Sequence, residues 1–386
     1  MTLTKNVAEA LAKKHGTPLY VYSQSILEEQ ARQILAIPAP FGLTVRYAMK
    51  ANSNPDVLSV LKSQNIHIDA SSGYEASMAI ELGYKPSDIL LTSQELAHNL
   101  PELVELGIQF NATSLRQLEA YGSANPGSNV GVRINPGIGS GHSVKTNVGG
   151  HTSSFGIWHE YIEQVHEIAE KYQLTINRLH THIGSGTDPA VWQEVIKISL
   201  ELIKNFPDAL ILNLGGGFKV ARMPEETGAD MQVIGDRLAQ ELASFADETG
   251  RNLHLELEPG TFLTANAGVL VTTIKDIVDT GEDGYTFLKI DTGMNDILRP
   301  SLYGAQHPIY ALGGAQEKRE YVVVGHNCES GDLLTPAPGD AEVLRPRSLA
   351  LSAVGDLLVI GGVGAYCASM AAHGYNSYPD ATEVLV

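Results

Sequence analysis

The sequence predicts an α/β fold: a TIM (β/α)8 barrel followed by a smaller, C-terminal β domain. Three observations predict it. Eight short strand-like runs recur through the first two thirds of the chain, most are followed by a segment with helical apolar spacing, and after about Ala265 the helical spacing gives way to strands and turns. A strand–helix unit repeated eight times over this length is what a closed barrel requires; a doubly wound open sheet is the runner-up.

The eight runs are Thr44–Met49, His67–Ala70, Asp88–Thr92, Ile108–Ala112, Asn129–Asn135, Ile176–His182, Ala209–Leu214 and Leu253–Leu257. Helical spacing follows at Pro55–Gln64, Tyr74–Leu82, Leu100–Leu106, Glu160–Tyr172, Ala190–Asn205 and Gln232–Thr249. Val269–Ile277, Thr286–Asp291, Tyr321–Gly325 and Leu357–Gly361 then read as strands of a sandwich or small barrel. Pro18–Tyr22 is strand-like and precedes the barrel count. The expected division is an N-terminal segment 1–24 packed on the β domain, a barrel over 25–265 and the β domain over 266–386.

Composition narrows the class of function. The 386 residues are 43% hydrophobic and carry a formal charge of −18, which argues against nucleic acid or an anionic membrane as partner. Any anionic substrate must then be met by locally placed cations. Two cysteines, Cys328 and Cys367, make no disulfide framework, and no apolar run is long enough to span a bilayer. The N-terminal stretch lacks a signal-peptide core, so a reducing cytoplasm is the expected setting.

In a barrel of this kind the chemistry stands at the C-terminal ends of the strands. There the sequence places Lys50 after the first strand, Arg133 on the fifth, His182 at the end of the sixth, Gly215, Gly216 and Gly217 after the seventh, and Glu258 after the eighth. Each has a plain structural reading: a lysine that snorkels, core histidines, a tight glycine turn, a cap before Pro259. His180 and His182 without a carboxylate on the same strand make a poor metal pair. What carries weight is the set, with each member on a different strand. A desolvated amine is expected to have a lowered pKa and to attack carbonyls. Glycine amides bind phosphate, and a buried carboxylate can pair with a ring nitrogen. The set fits pyridoxal 5′-phosphate: Lys50 for its aldehyde, His182 against its ring, Gly215, Gly216, Gly217 and Ser185 for its phosphate, Glu258 for its pyridine nitrogen. A protonated ring nitrogen favours decarboxylation over racemisation.

At this point the chain resembles the barrel-fold pyridoxal-phosphate-dependent amino-acid decarboxylases. The resemblance rests on YAMKAN, HTHIGSG, NLGGGF, LELEPG, RPSLYGAQHPI, CESGD and GAYCASM, in that order. GSGHSVKTNVGG with FGIW, and RPSLYGAQHPI, look like the diaminopimelate branch. The resemblance implies a lysine-forming decarboxylase with Lys50 as the Schiff-base residue, Arg133 and Gly260 at the cofactor, and Cys328 as proton donor. It further implies Glu329 for the distal ammonium of the amino-acid substrate, Arg299 and Tyr303 for its distal carboxylate, and Tyr366 for phosphate and substrate. A head-to-tail homodimer is implied as well, with CESGD reaching the neighbouring active site. The chain departs from the family pattern at Thr261, where arginine is usual, at Ser154, and at Tyr378-Pro379-Asp380. The first of these removes a charge from the substrate end and leaves a related basic or carboxylated amino acid as the alternative substrate.

Overall fold

The computed structural model describes residues 1–138, 149–182, 186–312 and 316–386. The barrel strands are β2 (Leu43–Ala48), β3 (His67–Ala70), β4 (Ile89–Leu91), β5 (Gln109–Ala112), β6 (Asn129–Asn135), β8 (Thr175–His180), β9 (Ile211–Asn213) and β10 (His254–Leu257). Each pairs in parallel with the next, and β10 returns to β2, so the ring closes and the open-sheet alternative falls. A short β7 (Ile157–Trp158) adds to β6. The strands are nearly all buried runs rather than alternating ones, as expected when helices cover one face and barrel packing fills the other.

Helices α2 (Gln24–Leu35), α3 (Pro55–Ser63), α4 (Gly73–Glu81), α5 (Leu100–Leu106), α6 (Leu115–Ala124), α7 (Ile162–Tyr172), α8 (Pro189–Ile203) and α9 (Met231–Thr249) follow the barrel in chain order. Their starts are written in the sequence. Asn54, Ser72, Ser114, Asp188 and Asp230 each accept a backbone N–H of the first turn. Such capping side chains turn the chain sharply at the strand ends and hold the strand-end loops in place.

The remainder forms an eight-stranded mixed sheet. Its strands are β1 (Leu19–Tyr22), β11 (Gly268–Asp279), β12 (Thr286–Ile290), β13 (Ile309–Ala311), β14 (Lys318–Val324), β17 (Arg347–Ala350), β18 (Leu357–Gly361) and β19 (Thr382–Leu385). A small hairpin, β15 (Pro336–Ala337) and β16 (Asp340–Leu344), stands apart. Strand β1, which follows α1 (Lys5–His15), pairs with β11 and β19, so the first strand and the last complete one sheet. Two short helices, α10 (Thr261–Thr264) and α11 (Arg299–Tyr303), lie between the barrel and the later strands. Among the described residues no helix is long and apolar enough to cross a membrane.

The lower half of the barrel holds a charged plug. Glu256 accepts from Arg46 Nη2 at 2.8 Å and from Arg178 Nε at 2.8 Å, and all three residues are 2% exposed. Gln109 bonds both arginines. Despite burial, which opposes ionisation, the two guanidiniums hold the Glu256 carboxyl down at about 2. Removing one member of such a group strands the others without a counter-charge. Glu256→Ala is therefore expected to lower unfolding free energy by about 3–5 kcal/mol, read as a fall in the urea midpoint; an unchanged midpoint contradicts the plug's structural role.

Candidate active site

Strand β2 delivers the chain to a 3-10 turn, Met49–Ala51, at the C-terminal mouth, and Lys50 sits in that turn. The turn is clasped from above by the later part of the chain. Tyr366 N–H donates to Ala51 O at 2.7 Å, and Ser369 Oγ donates to the carbonyls of Lys50 and Ala51, each at 2.9 Å. Tyr366 adopts φ +56°, a left-handed conformation that a bulky residue rarely takes without a local demand. Gly260 explains part of that demand. A Cβ there would stand 3.0 Å from the Tyr366 hydroxyl and 3.0 Å from Ala51 Cβ, a tight fit that glycine relieves.

Lys50 keeps accessible surface, and its amine feels the charges of Asp69, Arg133 and Glu258. Desolvation pulls the amine down, as the sequence predicts. Asp69, then Tyr366 and Glu258, push it up against Arg133, and the net direction is upward. The expected lowering is thus overturned by a carboxylate on the neighbouring strand. Asp69, on β3, is buried with its Oδ1 unpartnered, and burial raises its own pKa more than Lys50 lowers it. No motif flagged it, because a single acid in a four-residue strand has no pattern of its own.

Glu258 follows β10 and is 6% exposed. Asn213 Nδ2 donates to its Oε1 at 2.6 Å. His180 Nε2 lies 3.4 Å from Oε2 but makes no hydrogen bond. His180 Nδ1 accepts from Asn111 Nδ2 at 3.3 Å, which leaves the ring proton on Nε2. Burial, with Arg133 and His182 nearby, keeps that imidazole neutral. Glu258 therefore has no full cation bonded to it. Burial and the Asp69 charge push its carboxyl up to about 8.

His182 does not end a strand: β8 stops at His180, because pairing with β9 runs out at Asn213. His182 stands on the following loop, and its Nδ1 accepts Gly216 N–H at 3.0 Å. Gly215 N–H donates to Asn213 Oδ1 at 2.8 Å. Two of the three glycine amides are thus engaged by side chains. Close approach fixes both glycines: a Cβ on Gly215 would overlap the His182 ring, and one on Gly216 would overlap the Glu258 carbonyl oxygen. Arg133 packs over the Phe155 ring at 5.0 Å and acts electrostatically on Lys50, Glu258 and His182. Ser185 and most of GSGHSVKTNVGG lie outside the described residues.

Arg299 opens α11, its guanidinium 5.8 Å from the Tyr303 ring, and it acts electrostatically on Tyr366. Cys328 and Glu329 do not join this group. Both are exposed, and their polar partners among the described residues are Asn376, Tyr375 and the turn Ser330–Asp332. Asp332 fixes their loop by accepting from Asn327 and Met294.

The residues fit pyridoxal phosphate on the structure's own terms. An amine stands at the mouth, an imidazole beside it, and a buried carboxylate lacks the cation that a ring nitrogen provides. Fold and site together define a barrel enzyme built to hold an aldehyde-bearing, nitrogen-ring cofactor. The chain belongs to the pyridoxal-dependent decarboxylase family, whose pyridoxal-binding domain matches residues 24–265. It is 37% identical to a diaminopimelate decarboxylase of Streptomyces coelicolor, covering 98% of this chain and 86% of that protein. With a diaminopimelate decarboxylase of Escherichia coli strain K12 the identity is 35%, over 97% and 90%. A crystal structure of a diaminopimelate decarboxylase superposes with TM-score 0.92 at 34% identity, covering 100% and 93%. That of the Helicobacter pylori enzyme complexed with L-lysine gives 0.86 at 27%, covering 98% and 93%.

The back-to-back contact of the two loops is testable. Gly216→Ala must displace the backbone that carries Glu258, and is expected to destabilise by about 1–3 kcal/mol. Gly186→Ala, with nothing among the described residues within 4 Å of its added Cβ, should stay within about 0.5 kcal/mol. Equal thermal midpoints for the two variants contradict the contact.

Proposed function

We propose that the chain catalyses decarboxylation of meso-diaminopimelate to L-lysine and carbon dioxide. The observation that carries the reading is Glu258, a buried carboxyl held beside Asp69 and Lys50 without a bonded cation. The named relatives support the choice of substrate.

Pyridoxal phosphate, when bound, supplies an aldehyde for an amine and a ring that accepts electron density from the substrate's α-carbon. Lys50 Nζ holds it, with Asp69 keeping a negative charge beside that amine. Glu258 holds the ring nitrogen's proton, and Asn213 orients its carboxyl. His182 flanks the ring. Gly215, Gly216, Gly217 and Ser185 serve the phosphate, with Gly216 N–H leaving His182 to do so, and Arg133, Gly260 and Tyr366 complete that wall. Arg299 and Tyr303 take the distal carboxylate, and Glu329 the distal ammonium. Cys328 Sγ returns a proton to the α-carbon in place of the lost carboxylate.

In this reading residues 25–265 carry the cofactor, 266–386 form the β domain, and 1–24 belong with the latter. Cys328 and Glu329 act in the partner's site of a homodimer. Their exposure, and their lack of described partners at Lys50, support that arrangement. Free thiols at Cys328 and Cys367 suit a cytoplasmic setting. A second reading, another basic or carboxylated amino acid as substrate, is favoured by Thr261, which brings no charge to the substrate end.

Carbon dioxide release over a panel of amino acids tests the substrate: meso-diaminopimelate should exceed lysine, ornithine and arginine, and preference for one of these overturns the choice. The shared site has its own test. Mixed Lys50→Ala and Cys328→Ala chains, each inactive alone, should recover part of the activity. No recovery after proven subunit exchange means that each chain is self-sufficient.

A further inference from the structure

Arg222, on the loop after β9, is unused by the mechanism above. Its Nε donates to Gly362 O at 3.0 Å. Its stem packs so closely that a Cβ on Gly362 would meet Arg222 Cγ at 2.9 Å and Cδ at 3.1 Å. Gly362 begins the short segment that reaches Tyr366, the residue clasping the Lys50 turn. The guanidinium is thereby pinned beside the site, while its Nη2 is buried with no hydrogen-bond partner.

Arg299 faces the same region. Its Nε is likewise buried and unpartnered, and the two guanidiniums depress one another's neighbours: both act on His307 and on Cys367. Among the described residues neither guanidinium has a carboxylate oxygen within 4 Å. Glu226, four residues on from Arg222, spends Oε2 on the backbone N–H groups of Arg222 and Met223, at 2.8 Å and 3.2 Å. The other facing groups carry no balancing charge. His307 is kept neutral by burial and by both arginines. Cys367 is pushed up to about 11, and Tyr366 is raised. Burial and then Arg299 bring Arg222 down to about 10, so it stays a cation at neutral pH. Two cations held together with spare donors and no bonded anion are unfavourable unless an anion arrives.

We propose that Arg222 and Arg299 form a two-arginine clamp for the distal carboxylate of the substrate, with Arg222 a specificity residue. Its charge comes from the loop after β9, at the end of the site where Thr261 has none. The proposal rests on the decarboxylase reading, and it deepens that reading to substrates with a carboxylate at the far end.

The test uses holoenzyme, with Arg222→Gln and Arg222→Lys beside the native chain. Four quantities are measured: cofactor affinity from visible absorbance, KM for meso-diaminopimelate, and the binding of pimelate and of cadaverine, a diamine of the same length with no carboxylate, by calorimetry. Arg222→Gln should raise KM and weaken pimelate roughly 10- to 100-fold, the range of one charge-assisted contact. Cofactor affinity and cadaverine binding should change less than about two-fold, since a structural defect would move all four alike. Arg222→Lys, which keeps a charge without the planar fork, should fall between. Should the glutamine variant not fold, the lysine variant must still weaken pimelate several-fold. Unchanged KM and pimelate binding overturn the clamp, as does an equal loss of cadaverine binding. Lost cofactor affinity at constant KM assigns Arg222 to the cofactor phosphate instead and also overturns it. If the native enzyme releases no carbon dioxide from meso-diaminopimelate, the substrate reading fails, and the pimelate arm still decides the clamp.

Discussion

Two glutamates, two residues apart on one side of β10, face the same interior with opposite electrostatics. Strand alternation puts Glu256 and Glu258 on the same side. Glu256 meets two guanidiniums and is held at about 2; Glu258 meets an amide and a neutral imidazole and rises to about 8. Asn213 touches both, donating to Glu256 Oε2 at 3.3 Å and to Glu258 Oε1 at 2.6 Å. The lower carboxylate is a structural ion and the upper one is held in reserve for a cation. A pair of groups pushed apart by environment in this way marks a division between scaffold and chemistry.

The rest of the site depends on keeping that upper carboxyl dry and aimed. The glycine loop after β9 presses on the Glu258 backbone, and the segment after β18 presses on the Lys50 turn. The first contact tolerates no Cβ at Gly216, and the second leaves only tight room for one at Gly260. The positive φ of Tyr366 is stabilised by its bond to Ala51 and by Ser369 reaching the same turn. The sheet domain thus supplies a wall of the site, and the barrel supplies its floor.

Much of this was legible in the sequence, for physical reasons. Short apolar runs followed by a polar turn and a capping side chain announce themselves, so seven of the barrel's eight strand ends fall within one residue of the expected place; β8 ends at His180, two residues before His182. Lys50 and Glu258 stood out because each is a charged residue at the mouth end of an apolar run. Asp69, Asn111 and Asn213 did not, since a lone inward polar residue is indistinguishable from ordinary alternation until the strands are paired. Arg222 was invisible for a different reason: its meaning comes from contact with Gly362, 140 residues away. The raised amine of Lys50 was missed because burial is readable from local sequence, whereas the neighbouring strand's carboxylate is not. Helices α1, α2 and α6 also went unread, although Ser114 marks the start of α6.

The account turns on Glu258 lacking a cation in the cofactor-free protein. Its folded pKa, about 8, lies above the ordinary 4.5, so the native state binds the extra proton between those values. Stability from this group is therefore present at low pH and lost as pH rises through that window. Asp296 shifts in the same direction and is common to wild type and Glu258→Gln, whereas Asp69 and Glu258 act on one another, so the comparison reports on that buried pair. The decisive measurement is unfolding free energy of the cofactor-free protein from pH 5 to pH 8 for both. The account predicts that wild type loses stability relative to Glu258→Gln as pH rises. Parallel profiles would contradict it, because Glu258 would then already be paired.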